Sequence, residues 1–518
     1  MMRTMAALGA ALGVAALLVV ASGGGTAVQA QAPPPDVLVV AQGVDMQTGD
    51  PHKTTLTHAV NVLANIYDRL VGRDASLTLK PGLALSWRAV DATTWEFKLR
   101  PGVRFHNGEP FNAQAVKFSF ERMLDPKTRW PGAGALRLIK SVTVVDDATV
   151  RFTTEQPWPL MPRFLGYYGT IVPPGYLAQN GEEALVRQPV GTGPYRFVRW
   201  VKDDRVELEA NADFWGGKPR ISRVTFRAIP SESSRLAELL AGSVHLINLV
   251  PPELFKPIQD SSRARLVEGR SLSVYFVIAN LVNIAGDRPL ADPRVRQALN
   301  HAIDRQAILA SIMHNVGQPV ATVCTEVMLG CDASISPFAY DPERARALLR
   351  EAGYPNGFEF SITTTSGAYP GDRDITLALA DQLNRVGVRT RVNVTEYGVQ
   401  LKTVQSRQLA EDGWFTRFTD FFGLSTIIPF RAFYSKGEWS LWRPGHREFD
   451  QLIEAANVAR DETQMRDLSR RVQMLYKEQA PAISLFTAPN VYGMHPDLDW
   501  TPRPDLLLTM FDAGWRRR

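Results

Sequence analysis

Cysteine is nearly absent from this 518-residue chain: Cys324 and Cys331 are the only two. A disulfide scaffold is therefore excluded, and a tetrahedral zinc site cannot be built from two thiols with no histidine nearby. Charge of one sign is also lacking. Lys and Arg total 58 against 53 for Asp and Glu, a formal +5, and no basic stripe gathers that would suit nucleic acid. No internal repeat, low-complexity tract or charge block occurs. Catalytic signatures are missing as well: there is no His-Glu-x-x-His helix, no Gly-x-Ser-x-Gly elbow and no dinucleotide glycine fingerprint. Trp215-Gly216-Gly217-Lys218-Pro219 imitates a phosphate loop, but Ala212 stands where its first glycine belongs and Pro219 replaces the magnesium-binding hydroxyl. It reads as a turn, and Gly191-Thr192-Gly193-Pro194 reads as a tight chain reversal. The eight histidines are scattered, with His52 and His58 weighed between metal ligands and ordinary cap or surface roles.

Only one long apolar run exists. It follows Arg3, extends from Met5 to Val20, and gives way to Ser22-Gly23-Gly24-Gly25 and Ala27-Val28-Gln29-Ala30. A base, an apolar stretch and small residues before a cut are what export requires, so residues 1–30 read as a signal peptide cleaved near Ala30. A retained anchor helix is the alternative, but the glycines interrupt the run before the ~20 apolar residues that spanning needs. Removing Arg3, the one charge in residues 1–30, lowers the formal +5 to +4. Cys324 and Cys331, seven apart, then suit a local disulfide in an exported protein, with two unpaired thiols as the alternative.

What is present is ordinary globular composition, 45% hydrophobic and 21% charged. Single cores stop growing at roughly 250–300 residues, so this length calls for two or three lobes. Val37 to Val40 reads as a buried strand, and Val60, Leu63, Tyr67 and Leu70 recur at helical spacing. From Thr94 the period becomes two, with Trp95, Phe97 and Leu99 on one face and Glu96 and Lys98 on the other. Asn112 caps a helix carrying Val116, Phe120 and Met123. Val142 to Val145 and Val150 to Phe152 flank a turn at Asp146-Asp147. Further along, Asp292-Pro293 and Asp341-Pro342 are N-cap and N1 pairs, while Gly242, Gly353 and Gly387 close helices. Strand-like runs at Ser273 to Ala279, Phe358 to Thr363, Arg389 to Glu396 and Ile483 to Phe486 alternate with those helices. The pattern predicts α/β lobes with largely covered sheets. Ten aromatics fall between Trp414 and Trp442, a density that serves either a core or the wall of a ligand cleft.

Several long motifs occur in a familiar order. Thr94 to Phe111 (TWEFKLRPGVRFHNGEPF), Gly191 to Tyr195, Asn211 to Pro219, Val295 to Asn300, Glu351 to Pro355 and Pro502 to Asp505 resemble the family 5 extracellular solute-binding proteins, the peptide- and nickel-type receptors of ABC importers. The likeness covers nearly the whole mature chain. It implies a two-lobed periplasmic-binding-protein fold with a hinge and an extra subdomain. By that analogy lobe I takes residues 31–70, 190–275 and 490–518, the extra subdomain residues 71–189, and lobe II residues 276–489. Ser271 to Asn280 and Ile483 to Tyr492 are the candidate hinge strands.

The resemblance also implies a function: capture of a peptide or other small organic solute in the interlobe cleft and delivery to membrane permease subunits. It implies a monomer, with no cofactor, metal or catalytic residue. In dipeptide-binding members an Arg meets the ligand carboxylate, and an Asp three residues after a Trp meets its ammonium. Arg373 falls on the first position, fourteen residues before Gly387. Arg417, three after Trp414, replaces the Asp, and Asp420 follows three residues later. If Arg373 and Arg417 both face the cleft, the expected ligand is neutral or anionic; an Arg417 solvated on the lobe surface or paired with Asp412 or Asp420 is the alternative. A secreted hydrolase and a sensor that presents its bound form to a signalling partner are the competing functions.

Overall fold

The protein is described by a computed structural model covering residues 36–282, 288–443 and 445–516. The expected signal peptide lies outside the described residues. Three main sheets organise the chain. The first has seven strands in the order Arg265–Gly269, Asn490–Met494, Leu246–Ile247, Val37–Gln42, Arg223–Ala228, Arg205–Ala210 and Tyr195–Val201. Val37–Gln42 lies parallel to Arg223–Ala228 and to Leu246–Ile247. Because side chains alternate along a strand, Leu38 and Val40 enter one core with Val62 and Leu63, while Ala41 enters another with Leu236 and Leu239. Both faces are covered, as the α/β pattern requires.

The second sheet is an antiparallel set of four strands, Ala84–Ala89, Thr94–Leu99, Thr149–Thr154 and Ile139–Asp146. Phe97 and Leu99 point inward as expected. Glu96, on the other face, is also buried, because Arg88 and Arg151 close over its carboxylate at 2.7 and 2.8 Å. Helix Ala113–Leu124 packs on this sheet, and the Asn112 side chain accepts a hydrogen bond from the Ala115 N–H.

The third sheet has five strands in the order Arg389–Val394, Glu359–Thr364, Gly413–Thr419, Ser273–Ala279 and Ala482–Thr487. Helix Asp372–Arg385 packs on its first strands, and helices Pro293–His301 and Glu462–Gln479 pack near its far edge. The side chains of Asp292 and Asp341 cap their helices.

The chain crosses between the seven- and five-stranded sheets through two short connections. One joins Gly269 to Ser273, and the other joins Thr487 to Asn490. The crossings are tied together: the Ala488 N–H donates to the Ser273 carbonyl at 2.8 Å, and the Ser271 hydroxyl donates to the Ala488 carbonyl. Short connections of this kind are where a hinge between the two sheets would turn.

One helix differs from its periodicity. Thr57–Leu63 stops a turn before Tyr67 and Leu70 because the carbonyls of Asn65 and Ile66 are taken by the Tyr195 and Gly193 N–H groups. That close approach also explains the glycines of the 191–194 reversal, since a Cβ on Gly191 would stand 2.1 Å from the Ile66 oxygen. The reversal packs against backbone instead of cradling a phosphate.

Candidate functional site

Strand Gly413–Thr419 runs antiparallel to Ser273–Ala279, with Ile278 opposite Trp414 and Tyr275 opposite Arg417. A strand has period two, so Trp414 and Arg417, three apart, project to opposite faces. Trp414 is fully buried, edge-on to Phe418 at 5.7 Å and against Trp439 at 6.0 Å. Its indole Nε1 has no hydrogen-bond partner among the described residues. Arg417 is half-buried on the other face, its guanidinium 5.7 Å from the centre of the Tyr369 ring. The Tyr275 phenol is pushed up to about 12 by burial, against the pull of the Arg417 cation. Among the described residues no carboxylate forms an ion pair with Arg417.

Tyr369 is positioned by a loop that one carboxylate builds. Asp372, almost fully buried, accepts from the Thr365 hydroxyl at 2.6 Å and from the N–H groups of Gly367, Ala368, Tyr369 and Arg373 at 2.8–3.2 Å. Gly367 and Gly371 supply the left-handed φ values of 87° and 71° that the loop requires. Arg373 follows in the first turn of helix Asp372–Arg385, exposed to solvent. A cation at the positive end of a helix dipole is favourable only when an anion shares the site. The Tyr369 and Tyr397 rings meet edge to face at 5.9 Å. Residues Thr365 to Tyr369 and Val394 to Tyr397 line a hollow at the carboxyl ends of strands Glu359–Thr364 and Arg389–Val394. Crevices outside those strand ends are where α/β sheets take ligands.

Asp420 serves its own loop. Its carboxylate is fully buried and accepts from the N–H groups of Phe422, at 2.8 Å, and Leu424. Burial pushes its pKa up to about 6 even though Arg73 and Arg163 lie nearby. The loop so shaped presents two rings to helix Met161–Tyr168: Phe421 stacks on Tyr167 at 5.2 Å and Phe422 on Phe164 at 4.2 Å. Arg73 Nη1 donates to the Phe421 carbonyl at 2.7 Å, and Nη2 to Asp505 Oδ2 at 2.8 Å. Arg503 holds the same carboxylate through Nε and Nη2 at 3.0 and 2.8 Å.

This seam joins the 420–424 loop to three distant stretches of chain. The aromatic-rich stretch therefore divides: Trp414, Phe415 and Phe433 fill core, whereas Phe421 and Phe422 reach across the seam. Sequence reasoning missed Arg73 and Tyr167. Its Pro502 to Asp505 motif contained the seam's acid without revealing the partner.

The remaining singled-out residues lie elsewhere. His52 is buried, its Nε2 bonded to the Thr170 carbonyl, and burial lowers its pKa to about 4. His58 bonds Gln47. No metal-type cluster of three His, Cys, Asp or Glu occurs among the described residues. Cys324 and Cys331 are joined by a disulfide with Cα atoms 5.9 Å apart. Among the described residues no helix is long and apolar enough to cross a membrane.

Known proteins share this architecture. The chain is 30% identical over 378 residues to the glutathione-binding protein GsiB of Pectobacterium atrosepticum, covering 72% of each protein. In structure it is similar to HbpA2 from Haemophilus parasuis, with a TM-score of 0.83, 25% identity and coverage of 93% of this chain and 100% of that one. It is also similar to the ABC transporter-associated periplasmic binding protein DppA from Helicobacter pylori in complex with the peptide STSA, with a TM-score of 0.75, 26% identity and coverage of 93% and 98%. Residues 78–425 match the family described as bacterial extracellular solute-binding proteins, family 5 Middle. With more than half of its length matched, the chain belongs to the family 5 bacterial extracellular solute-binding proteins.

Proposed function

We propose that this chain is a periplasmic receptor that captures a peptide-like or other small organic solute and hands it to the permease subunits of an ABC importer. It catalyses no reaction of its own. Relatives named for glutathione and crystallised with a peptide support the solute class. The division proposed is a lobe of residues 31–70, 190–275 and 490–518, an extra subdomain of 71–189 and a second lobe of 276–489; the three sheets support it except at 275/276, which falls inside strand Ser273–Ala279 of the five-stranded sheet. Closure would turn about the paired crossings at 270–272 and 488–489. The mature protein acts as a monomer and begins near Gln31.

One observation carries the ligand reading. Arg417 stands half-buried against Tyr369 with no ion-pair partner, while the carboxylate of Asp420 is turned into its own loop. A guanidinium removed from water without a counter-charge is costly, so an anion or carbonyl-rich group is the partner it fits. Arg373, at the mouth of the same loop, adds a second cation. Trp414 and Asp420 support the site from behind, the first as core packing and the second as the builder of the 420–424 loop. The acid in the wall of the hollow, Glu396, accepts from the Gly398 and Val399 N–H groups at 2.9 Å.

The test is a titration of an N-acetylated dipeptide and its free-amino form against the wild type and Arg417→Ala. Charge-assisted bonds contribute roughly 1.5–3 kcal/mol, so the Arg417→Ala variant should bind the acetylated form about ten- to a hundredfold more weakly. Tight binding of the free-amino form, lost on Asp420→Asn and indifferent to Arg417→Ala, would transfer the docking role to Asp420.

A further inference from the structure

Three of the stretches that carry the family likeness, 94–111, 191–195 and 211–219, meet at one hollow of about 410 Å³. Leu85 and residues 100–104 line it from the proposed extra subdomain, and Thr192, Asp213 and Trp215 line it from the proposed first lobe. Its volume falls within the roughly 300–1,000 Å³ typical of small-molecule sites. It shares no lining residue with the hollow beside Tyr369.

Trp215 forms a fixed wall. Its indole N–H donates to Asp68 Oδ2 at 2.7 Å, and the Thr192 hydroxyl donates to the same oxygen at 2.9 Å. The Arg100 guanidinium lies over this ring, 4.1 Å from its centre, while its Nε donates to the Gly82 carbonyl at 3.1 Å. The stack and that bond fix the guanidinium plane and leave its outer edge free. The Arg100 Nη groups have no hydrogen-bond partner among the described residues and are not shut away from water, so they are open to the hollow that Arg100 lines. Arg104, exposed at the rim, donates from Nη1 to the Gly108 carbonyl at 2.9 Å and forms no ion pair among the described residues. The nearby acids are engaged. Asp68 feels the Arg100 charge but gives its Oδ2 to Trp215 and Thr192, and Asp213, the acid in the lining, pairs with Arg196 at 3.3 Å.

We propose that this hollow is a second anion site, taking a small polycarboxylate whose carboxylates reach Arg100 and Arg104 separately and whose carbon frame lies against Trp215. The two guanidiniums are anchored to different carbonyls, those of Gly82 and Gly108, so separated carboxylates suit them better than one compact oxyanion such as phosphate. Because the lining comes from two parts of the fold, the bound anion ties the subdomain to the first lobe. The site stands independently of the receptor reading.

The probes are citrate, its neutral triethyl ester and inorganic phosphate, titrated by calorimetry at one fixed ionic strength because salt screens exposed charges. The wild type should bind citrate with a rise in melting temperature, and should bind the ester and phosphate at least about tenfold more weakly. Arg100→Gln and Arg104→Gln should each weaken citrate binding by about tenfold or more while leaving the affinity for an N-acetylated dipeptide unchanged. Arg417→Ala should leave citrate binding unchanged. Circular dichroism shows whether each variant is folded. Should Arg100→Gln unfold, Arg104→Gln decides the matter alone, because Arg104 is exposed and no ion pair is lost with it. Citrate binding that is no tighter than that of the ester or phosphate, that survives Arg104→Gln, that is lost on Arg417→Ala, or that fails at millimolar concentration overturns this site. None of those results touches the receptor reading, which the dipeptide titration tests separately.

Discussion

Replacing Arg73 by Met tests whether the seam is held as the structure shows. The Arg73 side chain is 1% exposed and Asp505 is fully buried. Substitution removes one charge-assisted bond to Asp505, worth roughly 1.5–3 kcal/mol, and one to the Phe421 carbonyl, worth about 1 kcal/mol. Two effects offset the loss. Asp505 keeps both bonds from Arg503, so no buried carboxylate is stranded. The Arg73 Nε, buried without a partner, also ceases to be a cost. Arg73→Met should therefore destabilise by about 2 kcal/mol, whereas Asp505→Asn leaves two guanidiniums without their acid and should cost about 3–5 kcal/mol. The assay is chemical unfolding in urea of ligand-free protein, read as a midpoint shift at unchanged slope, because bound ligand would add its own stabilisation. The Arg73→Met chain should also bind ligand more weakly, since the Phe421 carbonyl loses its donor from across the seam. Equal costs for the two variants, or no cost for Arg73→Met, would refute this division of roles.

Other outcomes follow from the same contacts. Cys324→Ser with Cys331→Ser should lower stability by at most about 2–3 kcal/mol, because the closed loop is short, and should leave ligand binding intact; free thiols in the exported wild type would contradict the bridge. His106 accepts from the Gly191 N–H at Nδ1 and bonds the Gly193 carbonyl through Nε2, and His245 accepts from the Val39 N–H, so burial holds both neutral with pKa values of about 4. The unfolded chain takes up those protons first, near pH 6.5, so stability should fall as pH drops from 6.5 toward 4, by up to about 2 kcal/mol per ring at pH 5. His245→Asn should flatten that profile, and an unchanged slope would exonerate the ring. N-terminal sequencing of exported protein should begin near Gln31; a mature form starting at Met1 or Met2 would contradict cleavage.

The sequence revealed what is local. Asn112, Asp292 and Asp341 cap helices through their own next turn, and the 139–154 hairpin shows as two apolar runs flanking Asp146-Asp147, so each could be read without knowing the fold. The overextended helix after Val60 shows the opposite case. Its end is fixed by Gly193 and Tyr195, distant in the chain, which take the carbonyls a further turn would use. The site divides the same way. That Trp414 and Arg417 face opposite sides was implicit in their strand spacing, and the Asp420 loop is a short-range motif. Arg73 gave no signal, since its acid lies 432 residues away and the stretch around it is unremarkable in composition.

The most direct test of the receptor reading is native mass spectrometry of protein purified from its own periplasm without denaturation. One small organic acid should leave each chain on activation in the gas phase, and the same compound should raise the melting temperature of the emptied protein and be recovered chemically unchanged after prolonged incubation. A bound compound carrying only positive charge would contradict the anion-reading site. Conversion of the compound to product would contradict the receptor.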